Sequence, residues 1–203
     1  KNLTTSQMTT VTLYNLETNY NIGVGGHREE KNHVDGEQRF ARMSTKFNVQ
    51  GMRRSVHACI LVHMHQHPHV LLLHRKEDDL LMLPGGTLRP DDGDIEGLCR
   101  KLSSKLASAS IDPPKWDVRE LIGQLWRPQF DNQVYPYVPP HITKPKECRK
   151  IFLVALPERC VFAVPDNYSL VAIPLFELHN TPRFSPEIAS LPFLLSRCSF
   201  IYE

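Results

Sequence analysis

Between Gln38 and Phe47 the apolar side chains fall at Phe40, Met43 and Phe47, spacings of three and four that predict a short amphipathic helix with Arg39 and Arg42 on its other faces. Residues 1 to about 36 are mostly polar. Only Val11-Thr12-Leu13-Tyr14 there has the composition of a strand, which predicts an extended N-terminal arm. Val56 to Val62 and His69 to His74 then read as the two strands of a hairpin, with His65-Gln66-His67-Pro68 as its turn.

Leu83-Pro84-Gly85-Gly86 breaks the apolar pattern, and Pro90-Asp91-Asp92-Gly93-Asp94 supplies a loop and capping carboxylates for a helix whose stripe is Ile95, Leu98, Leu102 and Leu106. Asp117 to Leu125 and Lys150 to Leu156 predict two more strands. They are separated by a long loop rich in proline and aromatic residues, Trp126 to Pro145. Strands around Val161 to Val164 and Leu170 to Phe176 follow. Ser185-Pro186-Glu187 then reads as a helix start, and Leu191 to Leu195 as a short helix. Strands interleaved with helices at both ends predict one α/β sandwich with a mixed sheet.

The chain has 203 residues, 41% hydrophobic and 23% charged, the composition of an ordinary folded domain rather than of a disordered or collagen-like chain. Apolar runs such as Val70 to Leu73 are far too short to span a bilayer, so no membrane association is expected. A net charge of +2 argues against nucleic-acid binding by bulk electrostatics and leaves only local recognition. Five scattered cysteines without a Cys-x-x-Cys pair point to free thiols in a reducing compartment. The chain begins at Lys1 rather than a methionine, so a preceding segment is expected.

Four side chains, His63, His65, His67 and His69, alternate as metal ligands on a strand would. The Gln66-His67-Pro68 turn interrupts the strand, and no thiolate or carboxylate stands at ligand spacing, so exposed hairpin histidines are expected instead. Arg53 and Arg54 open a strand, where one of the two is expected in a structural ion pair. Tyr135 and Tyr137 have rings for base stacking, although packing the long loop onto the sheet is the expected role of at least one. Lys144, Lys146, Arg149 and Lys150 form a basic cluster suited to phosphates or an acidic partner, or else to a solvated surface.

A strand, a Gly85-Gly86 turn and a helix form a common phosphate cradle, because close backbone approach needs glycine and free amides gather at a helix start. Here the chain resembles the Nudix family, whose motif is a glycine, five residues, a glutamate, seven residues, then Arg-Glu, an apolar residue, any residue and Glu-Glu. The glutamates hold magnesium against a diphosphate. With Gly86 as the motif glycine, Asp92 takes the first glutamate position and Arg100 keeps the arginine, but Lys101, Ser104 and Lys105 replace the other three glutamates. Two cations and a hydroxyl do not hold a divalent metal, and Asp94 and Glu96 lie at the helix start, too far back to replace them. No catalysis, metal or cofactor is expected.

A narrower resemblance rests on Gly51-Met52-Arg53-Arg54, Pro68 to Leu73, Leu83 to Gly86, Trp126-Arg127-Pro128, Tyr135-Pro136-Tyr137, His141 to Glu147, Phe162 to Pro165, Pro174 to Leu178 and Leu194 to Arg197. These run in order through nearly the whole chain, which is similar to the small, Nudix-fold subunit of cleavage factor I of messenger-RNA 3′-end processing. The resemblance implies a Nudix-like α/β/α sandwich with a mixed β-sheet plus an N-terminal arm. On it the chain divides into residues 1–52 (arm and short helix), 53–179 (Nudix-like domain) and 180–203 (helical extension packed on the domain). It further implies a nuclear, noncatalytic homodimer bound to a larger subunit with an RNA-recognition (RRM) domain, reading single-stranded RNA at the tetranucleotide UGUA and contacting poly(A) polymerase and poly(A)-binding protein.

Carried over residue by residue, the family's RNA site falls on Arg39 in Arg39-Phe40-Ala41-Arg42-Met43 and on Glu30, with Glu29 or Lys31 as alternatives if an insertion shifts the register. Another family glutamate becomes His57. The family's phenylalanine pair becomes Leu80-Leu81, preceded by Asp79, and its late tyrosine becomes Phe184. Leucine has no π-face, and an imidazole differs from a carboxylate in donors and acceptors, so weakened or altered UGUA readout is expected. Two rival readings are a dimeric scaffold for the larger subunit without its own RNA readout, and a Nudix hydrolase of a nucleoside diphosphate derivative.

Overall fold

The computed structural model describes residues 9–26, 36–107, 115–131, 133–179 and 183–203, and only the backbone at 36, 37 and 39. Its centre is a mixed sheet built on β3 (Arg53–Met64), whose side chains alternate between two buried faces. The hairpin partner β4 (His67–Arg75) runs antiparallel on one side, and β8 (Glu147–Ala155) runs parallel on the other. β7 (Asp117–Arg127) borders β8 and β10 (Tyr168–Pro174) borders β4, so the strand order is β10-β4-β3-β8-β7. Two short strands complete it: β5 (Leu80–Met82) on β4 and β6 (Gly85–Thr87) on β3.

Period two on β3 explains the layers. Val56, Ala58, Ile60 and Val62 point to one side, where they pack with Leu98, Leu102 and Leu106 of α3 (Asp94–Leu106) and with Phe162. Cys59 and Leu61 point to the other, toward Ile188 of α4 (Pro186–Ala189) and Leu191 and Leu195 of α5 (Leu191–Leu195). The result is the expected helix, mixed sheet, helix sandwich. Ile95, predicted on the buried stripe of α3, is instead exposed, because it lies in the first turn, before the helix reaches the sheet.

The hairpin turn is tighter than the sequence suggests. It consists of His65 and Gln66 alone, both with positive φ (51° and 61°), and His67-Pro68 already belongs to β4. The left-handed pair matches the twist of a two-residue connection. The strand expected over Leu170 to Phe176 ends at Pro174, beyond which Leu175–Glu177 form a 3-10 turn.

The expected arm is more structured than an extended segment. β1 (Thr9–Leu13) pairs in parallel with β11 (Cys198–Tyr202), and β2 (Tyr20–Gly25) with β9 (Cys160–Pro165). Between β1 and β2, α1 (Leu16–Asn19) is capped by the Asn15 side chain, which accepts from the Glu17 amide at 2.9 Å. α2 (Gly36–Gln50) extends the predicted helix at both ends. All five cysteines are free and none is exposed. Burial pushes the Cys160 thiol up to about 11, which keeps it protonated and unreactive.

Candidate functional site

β3, β5, β6 and α4 converge where the sequence placed most of its candidate residues. Gly85 of β6 faces His57 of β3 in register, and a Cβ at Gly85 would stand 2.2 Å from the Val56 carbonyl oxygen and 2.7 Å from the His57 Cα. With φ at +147°, only glycine lets these strands approach so closely. The chain just before it is fixed by the Ala58 amide, which donates to the Pro84 carbonyl at 2.7 Å.

His57 sits under this turn with its Nδ1 3.5 Å from the Leu83 carbonyl oxygen. Burial pushes its pKa below the ordinary imidazole value, Glu187 of α4 opposes that shift, and Arg149 of β8 adds to it. The neutral ring therefore dominates. A carbonyl oxygen only accepts, so Leu83 favours the tautomer with its proton on Nδ1 and leaves Nε2 as an acceptor.

Asp79 takes a left-handed conformation (φ 53°) in the turn before β5, exposed, with its Oδ1 2.5 Å from His74 Nε2. Leu80 and Leu81 lie on β5 itself, opposite Arg75 and His74, so they are strand residues rather than part of a loop. Alternation separates them: Leu80 is 45% exposed and Leu81 only 6%. Phe184 is 8% exposed and belongs with Leu81 and Leu83 to the cluster under α4 and α5. The structure thus brings His57, Leu81 and Phe184 to one side of the sheet, with Leu81 and Phe184 in its core and Leu80 and Asp79 at the surface. Arg39 lies on α2, its side chain outside the described residues, and Glu30 lies outside them altogether.

Beside His57 lies a buried polar network that sequence reasoning missed. Glu147, 2% exposed, accepts from Ser55 Oγ at 2.6 Å and pairs with Arg127, its register partner on β7, and with Arg53 at 3.5 Å. Arg149 reaches Glu147 at 3.4 Å and donates to Glu187 at 2.8 Å. The only sequence signal was Glu147 and Arg149 two apart on one strand, which puts both side chains on one face. Both Arg53 and Arg54 are in ion pairs, with Glu147 and Asp94, where the sequence leads one to expect only one of the two, and Trp126 exchanges backbone hydrogen bonds with Tyr135, packing the long loop onto the sheet.

On the opposite face, Asp92 and Asp94 at the start of α3 are already engaged. The Arg89 amide, donating at 2.9 Å, and the Arg100 guanidinium hold the Asp92 carboxyl below the usual carboxylate range. Asp94 pairs with Lys150 at 2.5 Å and with Arg54 at 3.5 Å. The stem of Lys101 passes over Gly86. Among the described residues no three of His, Cys, Asp and Glu gather as a metal would need; of the hairpin histidines expected to be exposed only His65 and His67 are, whereas His63 and His69 are buried because their strand positions turn inward, His63 donating to the Glu203 carbonyl at 2.7 Å and His69 to that of His67 at 2.8 Å.

The NUDIX_2 family model, described as a nucleotide hydrolase, matches residues 9–198. The chain is 40% identical over 196 residues to the cleavage and polyadenylation specificity factor subunit 5 of Dictyostelium discoideum, covering 95% of this chain and 96% of that one. It is 45% identical over 185 residues to the pre-mRNA cleavage factor Im 25 kDa subunit 2 of Arabidopsis thaliana, covering 90% and 92%. Among solved structures, a C. elegans Ap4A hydrolase binary complex matches with a TM-score of 0.50 at 14% identity, over 71% of this chain and 96% of that one, a likeness of fold alone.

Proposed function

The chain belongs to the NUDIX_2 family and, within it, to the cleavage factor Im 25 kDa subunits, and from that premise we propose that it is a noncatalytic RNA-binding and scaffolding subunit of pre-mRNA 3′-end cleavage and polyadenylation. The observation that carries the reading is the match to cleavage factor subunits over nearly the whole chain. It works in the nucleus as a homodimer, joined to a larger RRM-containing subunit and in reach of poly(A) polymerase and poly(A)-binding protein. The arm of residues 1–52 and the extension of 180–203 flank its Nudix-like domain, 53–179.

The RNA is a short single strand of the UGUA type, read by Glu30, Arg39, His57, Asp79 and Leu80, with Leu81 and Phe184 packed in the core behind them as support, and with no metal and no covalent step. His57 keeps one property of the carboxylate it replaces, since its Nε2 accepts a hydrogen bond from a base amine while Nδ1 faces Leu83. Leu80 offers the base an aliphatic surface without a π-face, which lowers affinity rather than abolishing contact. Lys101 and Lys105 place positive charge where a Nudix hydrolase needs glutamates, which weighs against turnover.

Fluorescence anisotropy of the isolated chain at fixed salt tests the reading: UGUA-selective binding lost on scrambling supports it. Magnesium-dependent phosphate release from a dinucleoside polyphosphate would replace it by hydrolysis. A second reading, a dimeric scaffold without its own RNA readout, is favoured by the burial of Leu81 and Phe184, and dimerisation without any RNA binding would establish it.

A further inference from the structure

Helix α2 carries three cations, Arg39, Arg42 and Lys46, against a single carboxylate, Glu37, although the whole chain is close to neutral. At about 100° per residue the described cations, Arg42 and Lys46, fall within roughly 40° of arc. The stripe they border is Phe40, Met43 and Phe47, and its aromatic residues meet Phe130 of the loop after β7 edge to face, at 5.3 Å for Phe40 and 6.0 Å for Phe47. Lys146 stands 3.8 Å above the Phe47 ring and 5.4 Å from that of Phe130. Packing on Phe130 accounts for only part of Phe40, which remains 55% exposed. Arg42 and Lys46 are exposed as well.

A half-open aromatic ring packed edge to face on a neighbour, on a helix with exposed cations, is the combination that binds single-stranded nucleic acid without reading its sequence: the ring stacks a base and the cations meet phosphates. An apolar protein partner has no use for the basic stripe. We infer that α2 is a second RNA subsite, in which Phe40 stacks a nucleotide flanking the short element and Arg42 and Lys46 hold the adjoining backbone.

The inference rests on the reading of the chain as an RNA-binding subunit and deepens it, because Arg39 of the proposed element-reading site lies on the same helix. It also supplies the ring that Leu80 lacks, from a place where base identity is not read. Recognition thereby divides into a weak, selective part near His57 and a sequence-tolerant part on α2, so affinity depends on the length of the RNA.

The test uses anisotropy of the full chain at fixed salt with two probes, the UGUA tetranucleotide and an RNA of about a dozen nucleotides with UGUA at its centre. Wild type is compared with Phe40→Leu and with the double variant Arg42→Gln, Lys46→Gln, whose exposed positions leave folding intact. Phe40→Leu is expected to weaken the longer RNA by roughly 5- to 150-fold, the worth of one base stack, and to leave the tetranucleotide unchanged. The double variant is expected to lower the slope of log affinity against log salt by about 0.7 for each phosphate no longer neutralised. Wild-type affinity of Phe40→Leu for the longer RNA with an unchanged salt slope in the double variant, or equal weakening on both probes, overturns the subsite and leaves the RNA-binding reading standing. Failure of the wild type to bind either RNA overturns both.

Discussion

Arg149, in the middle strand region of the sheet, donates to Glu187 on α4 at 2.8 Å and lies 3.4 Å from Glu147 on its own strand, so one guanidinium ties the helix over the sheet to the strand beneath it. Desolvating such a network is costly, but each carboxylate and guanidinium in it finds partners, and the loss of one leaves the others uncompensated. The network also borders His57, which links the rigidity of this end of the sheet to the proposed RNA contact.

Glu147→Ala is therefore expected to destabilise the protein by about 3–5 kcal/mol, because Arg127 is left buried without its counter-charge. The exposed pair Asp117 and Arg119 gives the contrast, and Asp117→Ala is expected to cost less than about 1 kcal/mol. Urea unfolding of the two variants beside the wild type measures both. Equal effects would mean that burial of the Glu147 network does not matter.

His57 gives the stability a pH dependence of defined sign. Its folded pKa is lowered, mainly by burial, so the unfolded chain binds the proton more readily, and stability is fully present above the unfolded value of 6.5 and declines as pH falls below it. The slope for this one group does not exceed about 1.4 kcal/mol per pH unit. His57→Gln, which does not titrate, is expected to flatten the difference between unfolding at pH 7 and at pH 5, as read from urea midpoints.

Gly85→Ala is expected to destabilise by about 2–4 kcal/mol, since its Cβ would overlap the Val56 carbonyl and the His57 Cα, both backbone atoms that cannot step aside. Gly86→Ala shares the positive φ but meets only the Lys101 side chain, at 3.7 Å, so its loss is expected to be the smaller. Thermal melts rank the pair.

The layered core was legible because its residues repeat: Leu98, Leu102 and Leu106 recur with the helical period and all three are fully buried. β2 and β11 were not, and the reason is physical. Tyr20, Ile22 and Val24 alternate with Asn21, Gly23 and Gly25, but glycines disfavour a strand and Ile22 and Val24 stay exposed, while Cys198 to Tyr202 buries little beyond Cys198, so neither segment has a buried face of its own to mark it. Both gain their stability from parallel partners far away in sequence. The same distance hid the site. Arg127, Glu147 and Glu187 meet only through strand register and helix packing, which no local pattern encodes. Leu80 and Leu81 look alike as neighbours, and only pairing with β4 shows which of them faces water.

That difference between neighbours yields the sharpest test of the RNA reading. Leu80 is exposed on β5, so Leu80→Phe adds a ring at the surface without displacing the core. If a base lies against this position, the new π-face is expected to strengthen RNA binding by about 1–3 kcal/mol, with stability unchanged. Leu81→Phe adds the same ring beneath the sheet, in the cluster with Leu83, Ile188 and Phe184, where overpacking is expected to cost about 1–3 kcal/mol of stability without any gain in affinity. Anisotropy and urea unfolding on both variants separate the two effects. A tighter complex from Leu80→Phe alone places the base on the exposed side of β5. Unchanged affinity in Leu80→Phe means that no base stacks there, and that Leu80 does not belong to the RNA site.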